Sequence, residues 1–313
     1  MPQPHSVEES THAAVETAGS SGNVGDTIVE HVSNSSLDHP LIHLPPVFGI
    51  DMSVTKHVLM LWIVAAMVLL VVTVTVRRYI RQERLVPSGF MNALEFIVLY
   101  IRDEIVAPAV GKKWVDAWTP LLVTLFLFIL TANLIGLVPV FDALALLNHT
   151  VLHLPEEAFL SQVTHGGTTA TGNFNVTAGL ATVTFFAIII AGSRAHGFVQ
   201  HWKNMVPHGV NPVVTWLLLI PIETIGMFVR PFALTMRLAA NMTGGHIAIL
   251  AILSFVFIFA QQFGPAAGMG VGIFSLTTAI AISVLEVIVV FVQAYVFTLL
   301  TAVFIGMAIH AHH

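Results

Sequence analysis

Apolar residues fall in long runs broken by short polar segments from about residue 54 onward, and the run lengths set the first prediction. A first run from about Val54 to Val76 is long enough for one crossing of a ~30 Å hydrocarbon core, and it ends abruptly at RRYIRQER. Over Gly89–Val110 the pattern changes to helical alternation, with Leu94, Ile97, Val98 and Ile101 on one side and Glu95 and Arg102 on the other. That pattern predicts an amphipathic helix that is partly buried. Further spans are predicted at about Trp118–Val140 and Val176–Ser193, separated by a polar loop over 141–175. The last two runs, about 212–260 and 272–309, are far longer than one crossing needs. A 49-residue helix would be ~70 Å long, so each must tilt strongly, break, or run along the membrane plane. Pro221 and Pro231 offer places to bend the first, and the glycine-rich stretch Phe263–Gly272 is predicted to be the turn between them. The expected fold is therefore an all-α polytopic membrane protein of about five to six helices. Its membrane domain covers 55–313 and closes with a hairpin at about 212–309.

Composition agrees with the pattern. The 313-residue chain is 56% hydrophobic and only 9% charged, where a soluble domain carries about 25%. A net charge of −5 offers no basic surface for nucleic acid. Cysteine is absent, which excludes disulfides, a thiolate nucleophile and zinc–thiolate sites. No GxxxxGK[ST] phosphate loop is present, so no nucleotide is expected. Residues 1–54 contain acids, Ser, Gly, Asn and His but no lysine or arginine, and read as a polar, largely disordered arm with no preceding signal peptide. The histidines there (His5, His12, His31, His39, His43) and at the end (His310, His312, His313) are irregularly spaced, which favours solvation over metal binding. No cofactor is expected.

The twelve basic residues orient the spans. Seven fall between Arg77 and Lys113, Arg194 and Lys203 follow, and none lies in 1–55, 141–193 or 238–313. Under the positive-inside rule the arm is extracytoplasmic, 77–117 and 194–211 are inside, and the C-terminus is inside.

Candidate chemistry enters with the four charges of the last 103 residues: Glu223, Arg230, Arg237 and Glu286. An arginine at the centre of a span costs ~3 kcal/mol on insertion scales, so an intramembrane charge points to an ion pathway. Arg237 and Asn241 are four apart and share a helix face. Glu223 lies fourteen residues before Arg237, close to four turns, and falls near that face. His246 is nine residues on, half a turn out of phase, and so should point towards Glu286 on the partner helix. Glu286 and Gln293 are seven apart and roughly in phase. Imidazole takes and gives a proton near neutrality. Amides can hold a water chain without titrating, and arginine stays charged, acting as a barrier to cations and a dock for a carboxylate. Arg230 can snorkel or pair with Glu223, and Asn241 and Gln293 can also serve as helix–helix contacts.

The runs PIETIGMFVRPFALTMRLAANMTGGH and LEVIVVFVQAYVFTLLTAVF resemble the two signature helices of subunit a of the rotary F-type ATP synthase. FILTANLIGLVP and GNFNVTAGLATVTFF are similar to earlier membrane helices of that subunit. The resemblance covers roughly 118–308, and the arm matches nothing in it. It implies a non-catalytic, proton-translocating stator subunit with peripheral-stalk subunits as neighbours, and the absence of a basic transit peptide favours the bacterial inner membrane over an organellar one. Arg237 would face a rotating ring of small carboxylate-bearing subunits. Asn241, His246, Glu286 and Gln293 would line the half-channel from outside, and Glu223 would lie on the route to the inside. Some family members hold an acid where this chain has His246 and a histidine where it has Glu286. The competing class is a self-contained secondary transporter or proton channel. Such folds commonly show related halves with interrupted helices, and the first half here has no counterpart of MRLAANMTGGH.

Overall fold

A computed structural model describes residues 53, 55–81, 86–137, 148, 170–200, 217–218 and 220–310. Within an element the side chains of Lys56, Ala170, Ile220, Glu223 and Thr224 are outside that description. The expected disordered arm, apart from Ser53, and most of the 141–175 loop lie outside the described residues as well.

All regular structure among the described residues is helical. In chain order it comprises α1 (Lys56–Arg81), α2 (Phe90–Tyr100), a π-helical turn (Ile101–Val106), α3 (Ala107–Val110), α4 (Val115–Leu137), a 3-10 turn (Ala170–Gly172), α5 (Phe174–His196), α6 (Ile220–Phe263) and α7 (Pro265–Ile309). Among the described residues five stretches are long and apolar enough to cross a membrane: His57–Arg81, Val115–Leu137, Phe174–His196, Ile225–Phe263 and Pro265–Ile309. All five expected spans are present; the last begins at Pro265 rather than at about 272, and the expected bounds at Val54, Val140 and 212 lie outside the described residues.

The first shift has a clear cause. The basic run after Val76 does not end α1, because Arg78 and Arg81 occupy its last turn. Arginine is a good helix former, its charge favours a helix C-terminus, and its long stem can reach out of an apolar layer.

Two compact units divide the chain. The larger contains His57–Val138, Thr169–Met242 and Val287–His313. Its core has two buried clusters. In one, Ile101, Ile105, Val106 and Val110 meet Trp118 and Leu122 of α4, Ala187, Ile188 and Ala191 of α5, and Ala302 and Ile305 of α7. In the other, Leu125, Ile129 and Leu130 of α4 pack with Leu234, Leu238 and Met242 of α6 and with Val290, Ala294 and Phe297 of α7. The predicted amphipathic helix is here as α2, the π turn and α3. Leu94 and Ile101 are buried while Arg102 is exposed, paired with Asp116 at 3.5 Å. Pro108, near the start of α3, has no N–H to donate back four residues, which loosens the preceding turn. Gly306 of α7 lies so close to the Ala109 backbone that a Cβ there would overlap the Ala109 carbonyl.

The described part of the smaller unit is mainly the end of the α6–α7 hairpin, Thr243–Glu286. Here the structure corrects one expectation. The turn is a single residue, Gly264, and not the ten-residue stretch Phe263–Gly272. Gly264 has φ 90°, a conformation open to glycine, and its N–H bonds the Ala260 carbonyl at 3.1 Å. Pro265 then begins α7, where its missing N–H costs nothing. The remaining glycines of that stretch are helical; Gly270 faces open space, and the other two serve packing. A Cβ on Gly268 would collide with Ala260, and Gly272 sits opposite Val256.

Neither long helix breaks. Pro231 lies inside α6, which stays helical through it, so the option that the helix breaks there is not realised. Several hydroxyls within the spans are satisfied locally. Thr119, Thr124, Thr235, Thr298 and Thr301 each donate to the carbonyl four residues earlier, at 2.7–3.1 Å.

Candidate functional site

Each unit holds one polar pair between α6 and α7. In the larger unit Asn241 Nδ2 donates to Gln293 Oε1 at 2.9 Å. Gln293 is buried at 3% exposure, whereas Asn241 lies at the exposed edge of its helix. The surroundings are the apolar residues Leu238, Met242, Val290 and Ala294. Gln293 Nε2 is buried and has no hydrogen-bond partner among the described residues.

In the smaller unit His246 Nδ1 and Glu286 Oε1 are 3.8 Å apart. Their side chains are 28% and 6% exposed, so the carboxylate is the deeper partner. The separation is too long for a direct hydrogen bond, and neither atom has another such partner among the described residues. A small rotation, or one water, would close it. Gly245 explains how a carboxylate fits here: a Cβ at that position would overlap the Glu286 carboxyl group. The glycine next to the histidine thus makes room for the acid opposite.

Arg237 joins neither pair. It is exposed, as are Phe232 and Met236 near it, while Leu234 and Leu238 turn into the core. It has no ion-pair partner among the described residues. Asn241 is also exposed, so the two share a helix face as their spacing predicts. Glu223 is on α6, one turn after its start, and its side chain lies outside the described residues. The guanidinium of Arg230 sits 5.9 Å from the Phe304 ring centroid, a cation–π distance.

Helical phase groups Asn241 with Arg237 and Gln293 with Glu286 without pairing the two amides; their direct bond fits the helix–helix contact also expected of them. One further residue escaped altogether. Asn133 of α4 is fully buried, and neither amide atom has a hydrogen-bond partner among the described residues. A buried amide without partners is costly, which marks it as a place for a polar visitor such as water. The available signal was a lone Asn inside the apolar run FILTANLIGLVP. Thr184 and Thr301 also share a buried hydrogen bond at 3.3 Å, linking α5 to α7. Among the described residues no group of three or more His, Cys, Asp or Glu could hold a metal.

Chemically, the arrangement offers a titratable imidazole–carboxylate pair, a non-titrating amide pair and a permanent cation on an apolar outer face. Comparison with known proteins places this set in context. The family described as ATP synthase A chain matches residues 58–306. The ATP synthase subunit a 2 of Chlorobium luteolum is 39% identical over 292 residues, covering 91% of this chain and 75% of the relative. The ATP synthase subunit a of Chlorobium phaeobacteroides is 38% identical over 297 residues, covering 92% and 77%. The ATP synthase subunit a 2 of Prosthecochloris aestuarii is 37% identical over 310 residues, covering 96% and 85%.

Proposed function

The chain belongs to the ATP synthase A chain family, and from that premise we propose that it works as the proton-translocating stator subunit of the membrane sector. Its partner is a ring of small, carboxylate-bearing membrane subunits, and peripheral-stalk subunits hold it in place. Two offset half-channels pass protons to and from that ring. A proton enters from the outer side past His246, Glu286, Asn241 and Gln293, neutralises a ring carboxylate, and leaves to the inner side by the route that includes Glu223. The membrane is the bacterial inner membrane, with the N-terminus outside and the C-terminus inside.

The observation that carries this reading is the position of Arg237. A cation on an exposed helix face beside Phe232 and Met236, without a partner carboxylate among the described residues, suits a partner carboxylate in another chain. Facing lipid alone it would be costly, and facing an ionised ring carboxylate it is stabilised. Because arginine does not deprotonate, it separates the two paths without relaying a proton. His246 and Glu286 supply groups that can exchange one, and the amide pair orients the path without titrating. A potential of 100 mV supplies ~2.3 kcal/mol per elementary charge, so several protons must pass for each ATP made by the complex.

The test uses the assembled complex in sealed vesicles. Arg237→Ala should abolish proton-driven ATP synthesis while the complex still assembles. Retained synthesis in that variant, or solute uptake catalysed by the purified chain alone, would overturn the assignment.

A further inference from the structure

A second site lies away from both polar pairs, in the larger unit. A cavity of about 360 Å³ opens between the C-terminal turns of α1 and the start of α2. That is within the roughly 300–1,000 Å³ range of small-molecule sites. Its lining has two characters. Thr75, Arg78, Tyr79 and Ser88 supply one cation and three hydroxyls, while Val74 and Phe90 are apolar.

Among the described residues Arg78 is the one charged residue in that lining, and neither it nor Tyr79 has a hydrogen-bond or ion-pair partner there. Phe90 is the first residue of α2, whose N-cap Gly89 makes no side-chain cap. First-turn N–H groups there add to the preference for an anion.

Location narrows the ligand. The apolar run of α1 ends at Val76 and arginines follow at 77, 78 and 81, so the cavity sits where hydrocarbon gives way to headgroups. Below the cation, Val71, Val74 and Phe90 are exposed, offering an apolar track from the cavity into the acyl-chain layer. A soluble anion would use the cation but not the track. Basic pockets beside membrane helices characteristically take anionic lipid headgroups.

We propose that this cavity binds an anionic phospholipid, with the phosphate on Arg78, the hydroxyls of Tyr79 and Thr75 beside it, and an acyl chain along Val74 and Phe90. The ligand ties α1 to α2 at the membrane boundary. This site is independent of the proton path and of the assignment of Arg237.

The assembled complex, solubilised in a non-ionic detergent, provides the test. It is titrated with phosphatidylglycerol, phosphatidylcholine or inorganic phosphate, and bound ligand is counted by native mass spectrometry. Saturable binding of phosphatidylglycerol is expected, at least tenfold tighter than either alternative. Arg78→Gln should weaken it about tenfold, Arg78→Lys should recover part of the loss, and Arg81→Gln, which removes the same charge outside the cavity, should stay within about twofold. If Arg78→Gln does not assemble, Tyr79→Phe and Thr75→Val take its place, each with an expected loss of about threefold. No saturable binding, equal loss in Arg78→Gln and Arg81→Gln, equal affinity for phosphatidylcholine, or inorganic phosphate bound as tightly as the lipid would each overturn the proposal.

Discussion

The two polar pairs between α6 and α7 are built on opposite principles. Asn241 and Gln293 meet in a direct 2.9 Å hydrogen bond between groups that never ionise in the physiological range. His246 and Glu286 are both titratable, yet they stand 3.8 Å apart with buried atoms facing a gap. A direct bond holds geometry, and a gap leaves room for a proton to arrive and depart. The difference suggests that the amide pair positions helices while the imidazole–carboxylate pair handles charge.

The sharpest way to break the comparison is to remove charge handling while leaving the amide pair alone. Glu286→Ala in the assembled complex should slow proton-driven ATP synthesis by about 10²-fold, on the scale of a lost acid–base group. His246→Ala should do the same to a lesser degree. The exchanged pair, His246→Glu with Glu286→His, should synthesise ATP faster than at least one single variant. An exchange slower than both would show that adjacency has no functional meaning.

Gly245→Ala changes no charge and leaves both titratable groups in place. Its Cβ forces the Glu286 carboxyl to move, so the rate should fall about tenfold in the same vesicle assay. An unchanged rate would mean that the 3.8 Å spacing is not critical.

The smallest effect on turnover belongs to the amide pair, where stability is the better reporter. Asn241→Ala leaves Gln293 Oε1 buried and unpaired, a loss of about 1–3 kcal/mol measurable as a lower Tm of the purified complex. The double change to leucine at 241 and 293 should recover most of it. If Asn241→Ala instead slows proton flow as strongly as Glu286→Ala, the division of labour fails.

Much of this was legible from hydrophobic run length and helical phase. Runs of twenty or more apolar residues have few structural options in a bilayer, so five spans are legible. The first three lie within about five residues of their bounds, whereas the fourth and fifth begin at Ile225 and Pro265 among the described residues, against the expected 212 and 272. The half-turn offset from Arg237 places His246 towards Glu286, because α6 stays helical through Gly244 and Gly245. The hairpin turn was misjudged for a physical reason. Glycine at 268 and 272 looks the same in sequence whether it loosens a loop or lets two helices touch. Helical phase puts Asn241 on the arginine's face but does not name its partner, because a side chain at the edge of a face can reach across, as its bond to Gln293 shows. Asn133 passed unnoticed because a single amide in an apolar run has no periodicity to betray it.

The one-residue turn at Gly264 has a consequence for how this chain can vary. Around it the hairpin is mirror-counted: Gly268 and Ala260 lie four residues either side, and Gly272 and Val256 eight either side. Every facing pair near the tip is thus addressed by its distance from one residue. Adding a single residue at 264 would shift one strand of that count by about 1.5 Å and 100° relative to the other. His246 and Glu286, 18 residues before and 22 after Gly264, would then lose their facing positions. Connections between helices ordinarily tolerate insertion and deletion well. This one should be the least permissive position for a length change, a constraint on spacing that no substitution scan would reveal.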